Sequence, residues 1–180
     1  MQVSESIYIF VTHEHYDHCD AKAIRQLEKP TTTIITNANS VRIIGKGKIM
    51  HNGDRLQLSK DISVEAVPAY NTTPGHLQYH PKGLDNGYIL TLDGFRIYIS
   101  GDTEYIPEMK NIKDIDVAFL STNQPFTMTP AQTANAAKII KPKVLFPYHY
   151  SDTDVSKVKK LLNGTGIDVR ISSYQYTVEI

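Results

Sequence analysis

Residues 13 to 18, His13-Glu14-His15-Tyr16-Asp17-His18, place three imidazoles and two carboxylates within six positions, directly behind the apolar run Ile7-Tyr8-Ile9-Phe10-Val11. The whole chain has only seven histidines. Imidazole nitrogen and carboxylate oxygen are the donors that a borderline divalent cation such as zinc accepts, at about 2.0 to 2.2 Å. A strand delivering His13 and His15 puts both rings on one side, because side chains repeat every two residues. Asp17 and His18 then fall in the turn before a helix, where the reversing chain can aim a second pair of donors at a neighbouring point. That spacing suits two metal ions better than one. A single histidine is most often a surface or satisfied core residue, but four donors gathered at one strand end are costly to desolvate unless a cation sits among them.

The elements that position such a cluster are legible around it. Ile7 to Val11, Thr33 to Thr36, Val64 to Val67, Tyr88 to Leu92, Arg96 to Ser100, Val117 to Leu120 and Val144 to Phe146 are short runs rich in β-branched or aromatic residues and read as strands. Asp93-Gly94 predicts a hairpin joining the fourth and fifth of them. Thr129-Pro130-Ala131-Gln132 opens a helix with an N-cap threonine, a proline at the first position and a capping-box glutamine. That helix ends before Pro142, whose ring drives Lys141 out of the α region. Further helices are expected over Asp20 to Glu28 and over about Asp154 to Asn163, the latter capped by Gly164. The class is mixed α/β, with helices covering sheet in two or more layers.

Two later segments supply further donors. Ser100-Gly101-Asp102-Thr103 closes one expected strand, and Phe146-Pro147-Tyr148-His149-Tyr150 ends another. Taken with the HxHxDH pattern of His13, His15, Asp17 and His18, these segments resemble the metallo-β-lactamase superfamily of αββα hydrolases, over nearly the whole chain. Val67-Pro68-Ala69-Tyr70-Asn71, His80-Pro81-Lys82-Gly83, Phe126-Thr127-Met128-Thr129 and Lys141-Pro142-Lys143 are most similar to the branch of metal-dependent hydrolases related to L-ascorbate-6-phosphate lactonase. The more distant likeness is to N-acyl-phosphatidylethanolamine phospholipase D.

The resemblance implies a four-layer αββα sandwich and two metal ions. His13 and His15, with a third histidine, would hold the first; Asp17, His18 and His149 would hold the second; Asp102 would bridge them. Gly101 frees the backbone to pass close to the ions. The third histidine departs from the pattern, since the Pro68-Ala69-Tyr70 register ends in Asn71. His80 is the preferred candidate, and His76, in Thr73-Pro74-Gly75-His76, is the other. The reaction expected is hydrolysis of a small ester, lactone or phosphate-containing substrate by a hydroxide bridging two cations about 3.5 to 4 Å apart, with Asp17 as ligand and proton acceptor. Zinc is the first choice of metal, with manganese or iron as alternatives. A non-catalytic metal-binding paralogue and a nuclease of the same fold are the competing readings.

Residues outside this set read more plainly. Glu14 and Tyr16 alternate away from the donors, His51 belongs to a solvated turn, and Cys19 is a small buried residue. Tyr148 is expected to line the site, Thr103 to orient a carboxylate, and Lys82 either to meet an anionic group or to stand in solvent.

Composition narrows the class of partner. The 180 residues carry 19 Lys+Arg against 19 Asp+Glu, so no global field draws the chain to nucleic acid or anionic lipid. One cysteine excludes an internal disulfide and fits a reducing compartment. The N-terminal stretch has neither a basic n-region nor a membrane-length apolar run, so a cytoplasmic protein with no membrane partner is expected. A single domain over residues 1–180 accounts for the length. Met1 lies only twelve residues before His13, so the first sheet is expected to lack N-terminal strands, leaving an edge that invites homo-oligomerisation.

Overall fold

The computed structural model describes residues 7–172. Its elements are β1 (Tyr8–Phe10), α1 (Ala21–Leu27), β2 (Thr33–Thr36), α2 (Ala38–Ile44), β3 (Lys48–Ile49), β4 (Arg55–Gln57), β5 (Ile62–Ala69), β6 (Asp85–Leu92) and β7 (Phe95–Ile99). A 3-10 turn (Pro107–Asn111), β8 (Val117–Ser121), α3 (Pro130–Ile140), β9 (Val144–Tyr148), α4 (Ser156–Leu161) and β10 (Asp168–Val169) complete it.

Local chemistry sets the element ends. Asp20 caps α1 by accepting from the amides of Lys22 (2.8 Å) and Ala23 (3.0 Å). At α3 the capping box closes in both directions: Gln132 N–H donates to Thr129 Oγ1 (3.1 Å) and Thr129 N–H to Gln132 Oε1 (2.8 Å). Lys141 leaves the right-handed helical region, as Pro142 demands, and adopts the left-handed one (φ 56°, ψ 54°). Asp93 and Gly94, at φ 49° and 80°, form the turn between β6 and β7. The last helix is shorter than its pattern, because Asp154 folds back to accept from the Ser156 amide (3.1 Å) ahead of it.

Among the described residues the strands form a three-stranded sheet, β1-β2-β3, and a seven-stranded sheet, β10-β9-β8-β7-β6-β5-β4. Three apolar cores separate four layers. Alternation along β2 sends Ile34 to a core with Val11, Cys19, Ile24 and Ile44 beneath the first helices, and Ile35 to one between the sheets with Met50, Val64, Ala66 and Tyr88. Alternation in the large sheet likewise sends Tyr98, Ala118, Leu120 and Leu145 to the third core, under α3 and α4 with Ala137, Ile140, Val158 and Leu162. This is the αββα arrangement. Among the described residues, no helix is long and apolar enough to cross a membrane.

Strand direction then decides where a site can be. β7, β8 and β9 are parallel, and β5 runs with β7 because each is antiparallel to β6. The segments after β5, β7 and β9 and the first residue of β6 therefore meet at one edge, the carboxyl-end crevice where open α/β sheets bind ligands.

Candidate metal centre

His13 and His15 are not carried by a strand, contrary to expectation, since β1 ends at Phe10, whereas Asp17 and His18 lie in a turn as expected. The ladder continues one bond further, from Val11 N–H to Ile35 O (2.9 Å), and the chain then leaves the sheet. It departs because the large sheet captures it. Tyr88 Oη donates to Val11 O (3.0 Å) and Asn86 N–H to Thr12 O (3.1 Å). The His15 carbonyl accepts from the amides of His18 (2.9 Å) and Cys19 (2.8 Å), closing a tight turn. Glu14 secures the outside of that turn to the start of α2 by accepting from Asn39 Nδ2 (2.8 Å) and Asn37 Nδ2 (3.3 Å). His13 and His15 still converge, with ring centroids 4.7 Å apart, through turn geometry rather than strand period.

Asp102 is the focus of the cluster. Its Oδ2 lies 4.0 Å from His13 Nε2, 3.3 Å from His18 Nε2, 3.6 Å from His80 Nε2 and 3.5 Å from His149 Nε2. The donor atoms fall into groups close enough to hold an ion: His13, His15 and His80; His13, His18 and Asp102; Asp17, His18 and His149. All seven residues singled out in the sequence thus meet at one place. Of the two candidates for the third histidine, His80 joins this cluster, its ring centroid 5.0 Å from that of His13 and 4.9 Å from that of His15. His76 instead turns its Nδ1 toward Glu104 Oε1 (3.4 Å).

Gly101 aims Asp102, though not for the reason expected. At φ 62°, a Cβ there would sit 2.7 Å from the Asn86 carbonyl oxygen and 3.3 Å from Thr12 Cβ, so the crowding comes from β6 and the histidine segment. Gly101→Ala is expected to cost at least about 2 kcal/mol, from left-handed strain plus the clash. At about 2 to 4 °C per kcal/mol for a chain of this size, the melting temperature should fall by roughly 5 °C or more in a thermal scan. His149, at φ 51°, is also left-handed, and this turn after β9 points its Nε2 at Asp17 Oδ2 (3.2 Å).

The electrostatics are those of donors awaiting a cation. Burial, reinforced by His18, His80 and His15, lowers the His13 pKa to about 2 against the pull of Asp102, so its ring is neutral. Burial opposes the charge on His18, but the Asp102 carboxylate, 3.3 Å from its Nε2, raises its pKa on balance. Burial pushes Asp102 up, yet the imidazoles of His18, His149 and His13 around it hold it down at about 2. His13 Nε2, His18 Nε2, Asp102 Oδ1 and His149 Nδ1 are buried without a hydrogen-bond partner. Buried polar atoms are normally satisfied, so a group of such atoms about one carboxylate fits the binding of a positive ion.

Several residues that support the cluster escaped sequence reasoning. Asp85, buried at the start of β6, accepts from His80 Nδ1–H (3.0 Å), which leaves the Nε2 lone pair facing Asp102. Burial raises the Asp85 carboxyl, against the pull of that bond. Its setting, Asp85-Asn86-Gly87, has turn composition and hides a strand. Glu104, fully buried, accepts at Oε2 from the amides and hydroxyls of Thr72 and Thr73 (2.7 to 2.9 Å). These bonds overcome burial and lower its pKa, and they fix the loop that carries His80. Thr103 orients no carboxylate; its hydroxyl accepts from Tyr70 N–H (3.1 Å) and donates to Tyr70 O (3.0 Å), tying the end of β5 to the Asp102 segment. Lys82 is exposed and pairs with Glu108 (3.0 Å) and Tyr70 Oη (3.2 Å). Asn71 is buried, and its backbone N–H donates to His80 O (2.9 Å). His51 is exposed, and burial raises the Cys19 thiol, as the sequence suggested.

Above the cluster opens a cleft of about 800 Å³, lined by the donors other than the fully buried His13, together with Tyr16, Tyr79, Asn123, Phe126, Tyr148 and Ser151.

A four-layer αββα sandwich with this His/Asp cluster at its strand edge defines the class: the chain belongs to the β-lactamase superfamily, whose domain model matches residues 2–150. Within it, the chain is one of the UPF0173 metal-dependent hydrolases. It is 31% identical to the member from Ligilactobacillus salivarius, over 96% of this chain and 78% of that one. A crystal structure of a candidate metal-dependent hydrolase from Parabacteroides distasonis is 56% identical, with a TM-score of 0.89 over 93% of this chain and 77% of that chain. The metallo hydrolase Igni18 of Ignicoccus hospitalis shares the fold, at 23% identity and TM-score 0.74, over 92% of this chain and 76% of that one.

Proposed function

We propose that this chain, a metal-dependent hydrolase of the β-lactamase superfamily, uses two divalent cations, zinc first among them, to hydrolyse a small ester, lactone or phosphate-containing molecule. His13, His15 and His80 would hold one ion, Asp17, His18 and His149 the other, with Asp102 between them. The observation that carries this reading is the single carboxylate oxygen of Asp102 lying within 4.0 Å of four histidine Nε2 atoms. Such a pair of ions supplies Lewis-acid polarisation and lowers the pKa of water.

The protein's own groups have distinct parts in this scheme. The neutral His13 ring offers a lone pair with no proton to displace. Asp85 keeps the His80 Nε2 lone pair directed inward. Asp17 is the one carboxylate of the cluster with substantial exposure, 41%, so it can take the proton released from the attacking water and pass it to solvent. Burial and the charge of Asp102 hold the Tyr148 phenol well above its ordinary pKa, so it stays an O–H group beside the cleft.

Elemental analysis of the purified chain, paired with a panel of carboxylic esters, lactones and phosphodiesters, tests this reading. Two ions per chain and turnover that a chelator abolishes are expected. One ion or none, without turnover of any class, would instead mark a non-catalytic metal-binding paralogue.

A further inference from the structure

The cleft walls differ in kind from its floor. Tyr79, from the loop between β5 and β6, meets Phe126, from the loop between β8 and α3, edge to face, with centroids 4.9 Å apart and planes at 71°. Phe126 is 40% exposed, and Tyr16, on the turn between His15 and Asp17, is 90% exposed. Solvent-facing aromatics gathered at one cleft are a surface that still lacks its apolar complement.

Both loops are held in place. Asn123 and Thr127 exchange hydrogen bonds around Phe126: Asn123 N–H to Thr127 Oγ1 (2.6 Å) and Thr127 N–H to Asn123 O (2.7 Å). Tyr79 N–H donates to His76 O (3.0 Å), and Glu104 secures the start of the same loop. The aromatic pair is therefore presented rigidly, which lowers the entropy lost when a ligand packs on it.

Charge points the same way. Among the described residues lining the cleft there is no lysine or arginine; its carboxylates are Asp17 and Asp102, beside the histidines. Lys82, on the Tyr79 loop, is engaged by Glu108 and Tyr70 and does not line the cleft. Phosphate recognition usually relies on Arg or Lys beyond any metal. We propose that the substrate is an uncharged carboxylic ester or lactone carrying a planar aromatic group, which packs against Phe126 and Tyr79 while the scissile carbonyl lies over the His/Asp cluster. This proposal rests on the hydrolase reading above and narrows its substrate class.

The test compares the full-length chain with Phe126→Ala and Phe126→Tyr, using phenyl acetate, methyl acetate and bis(p-nitrophenyl) phosphate, and adds saturation-transfer NMR with acetanilide, an aryl amide that tests binding without turnover. The wild type should prefer phenyl over methyl acetate beyond their difference in alkaline hydrolysis rate. Phe126→Ala should cut that preference about tenfold, mainly through KM, and weaken acetanilide binding to a similar extent. Phe126→Tyr should retain both. Acetanilide binding that depends on Phe126 in a chain that turns over nothing would sink the hydrolase reading and leave the aromatic subsite standing. Ester turnover with an aryl preference unchanged in Phe126→Ala, or the phosphodiester as the best substrate, would overturn the subsite.

Discussion

Replacing Asp102 with asparagine is expected to lower kcat/KM by at least about 10³-fold and to strip most of the bound metal, with the fold retained. The side chain is 3% exposed and nearly isosteric with asparagine, so the core has no new volume to accommodate. What changes is charge. The carboxylate is the one anion close to all four Nε2 atoms of His13, His18, His80 and His149, and His18, His149 and His13 hold its pKa at about 2 despite burial. An amide in its place puts a neutral oxygen, or two N–H donors, where two cations would otherwise share a negative charge. The loss should exceed the 10- to 100-fold typical of groups that act one bond behind a ligand, the position Asp85 holds behind His80. Steady-state kinetics with elemental analysis and far-ultraviolet circular dichroism decide the matter. An Asp102→Asn chain that keeps two ions and a tenth of the activity would remove the centre from this site.

How much of this was readable in advance depends on whether the signal was local. The capping box at Thr129 and Gln132 and the Asp93-Gly94 turn each act within a few residues, and each formed where the sequence placed it. The seven apolar runs all became strands. β3, β4 and β10, of two or three residues, have no pattern of their own and exist only because a neighbour offers a ladder, as β5 does for Arg55 to Gln57. α2 was missed because seven residues with one buried position, Ser40, give no amphipathic period; Asn37 starts it, accepting from the Ser40 amide (2.9 Å).

The centre divides along the same line. His13, His15, Asp17 and His18 are neighbours in sequence and declared themselves. Their geometry did not, since β1 stops at Phe10 and Tyr88 and Asn86, more than seventy residues away, bend the segment that follows. Glu104 and the Tyr79–Phe126 pair work through partners distant in sequence, which no spacing announces, and Asp85 reaches His80 only because the loop between them folds back to the start of β6.

Removing metal is expected to destabilise the chain as well as silence it. His13, His15, His18 and His80 lie ring against ring, with centroids as close as 4.2 Å, and four buried nitrogen and oxygen atoms of the cluster have no protein partner, so a cation would be their natural complement. Protonation of His13 cannot relieve this crowding, because burial first, and the neighbouring imidazoles after it, hold its pKa at about 2. A divalent ion satisfies several orphans at once without adding a proton, so the folded chain binds it far better than the unfolded chain does. At a free concentration a thousandfold above the dissociation constant, that preference contributes about 4 kcal/mol. For a chain of this size the melting temperature should then drop by roughly 8 to 16 °C after treatment with a chelator and return when zinc is restored. Differential scanning calorimetry of the two forms measures this directly. The cluster also joins three separately held segments: the turn after β1, the Glu104-anchored loop and the end of β9. Amide exchange should therefore quicken around residues 13–18, 76–82 and 149–151 on metal removal, and far less in α3, which packs on the opposite face of the large sheet. Equal melting temperatures with and without the chelator would mean that the histidines and Asp102 satisfy one another, and the case for resident ions would fail with them.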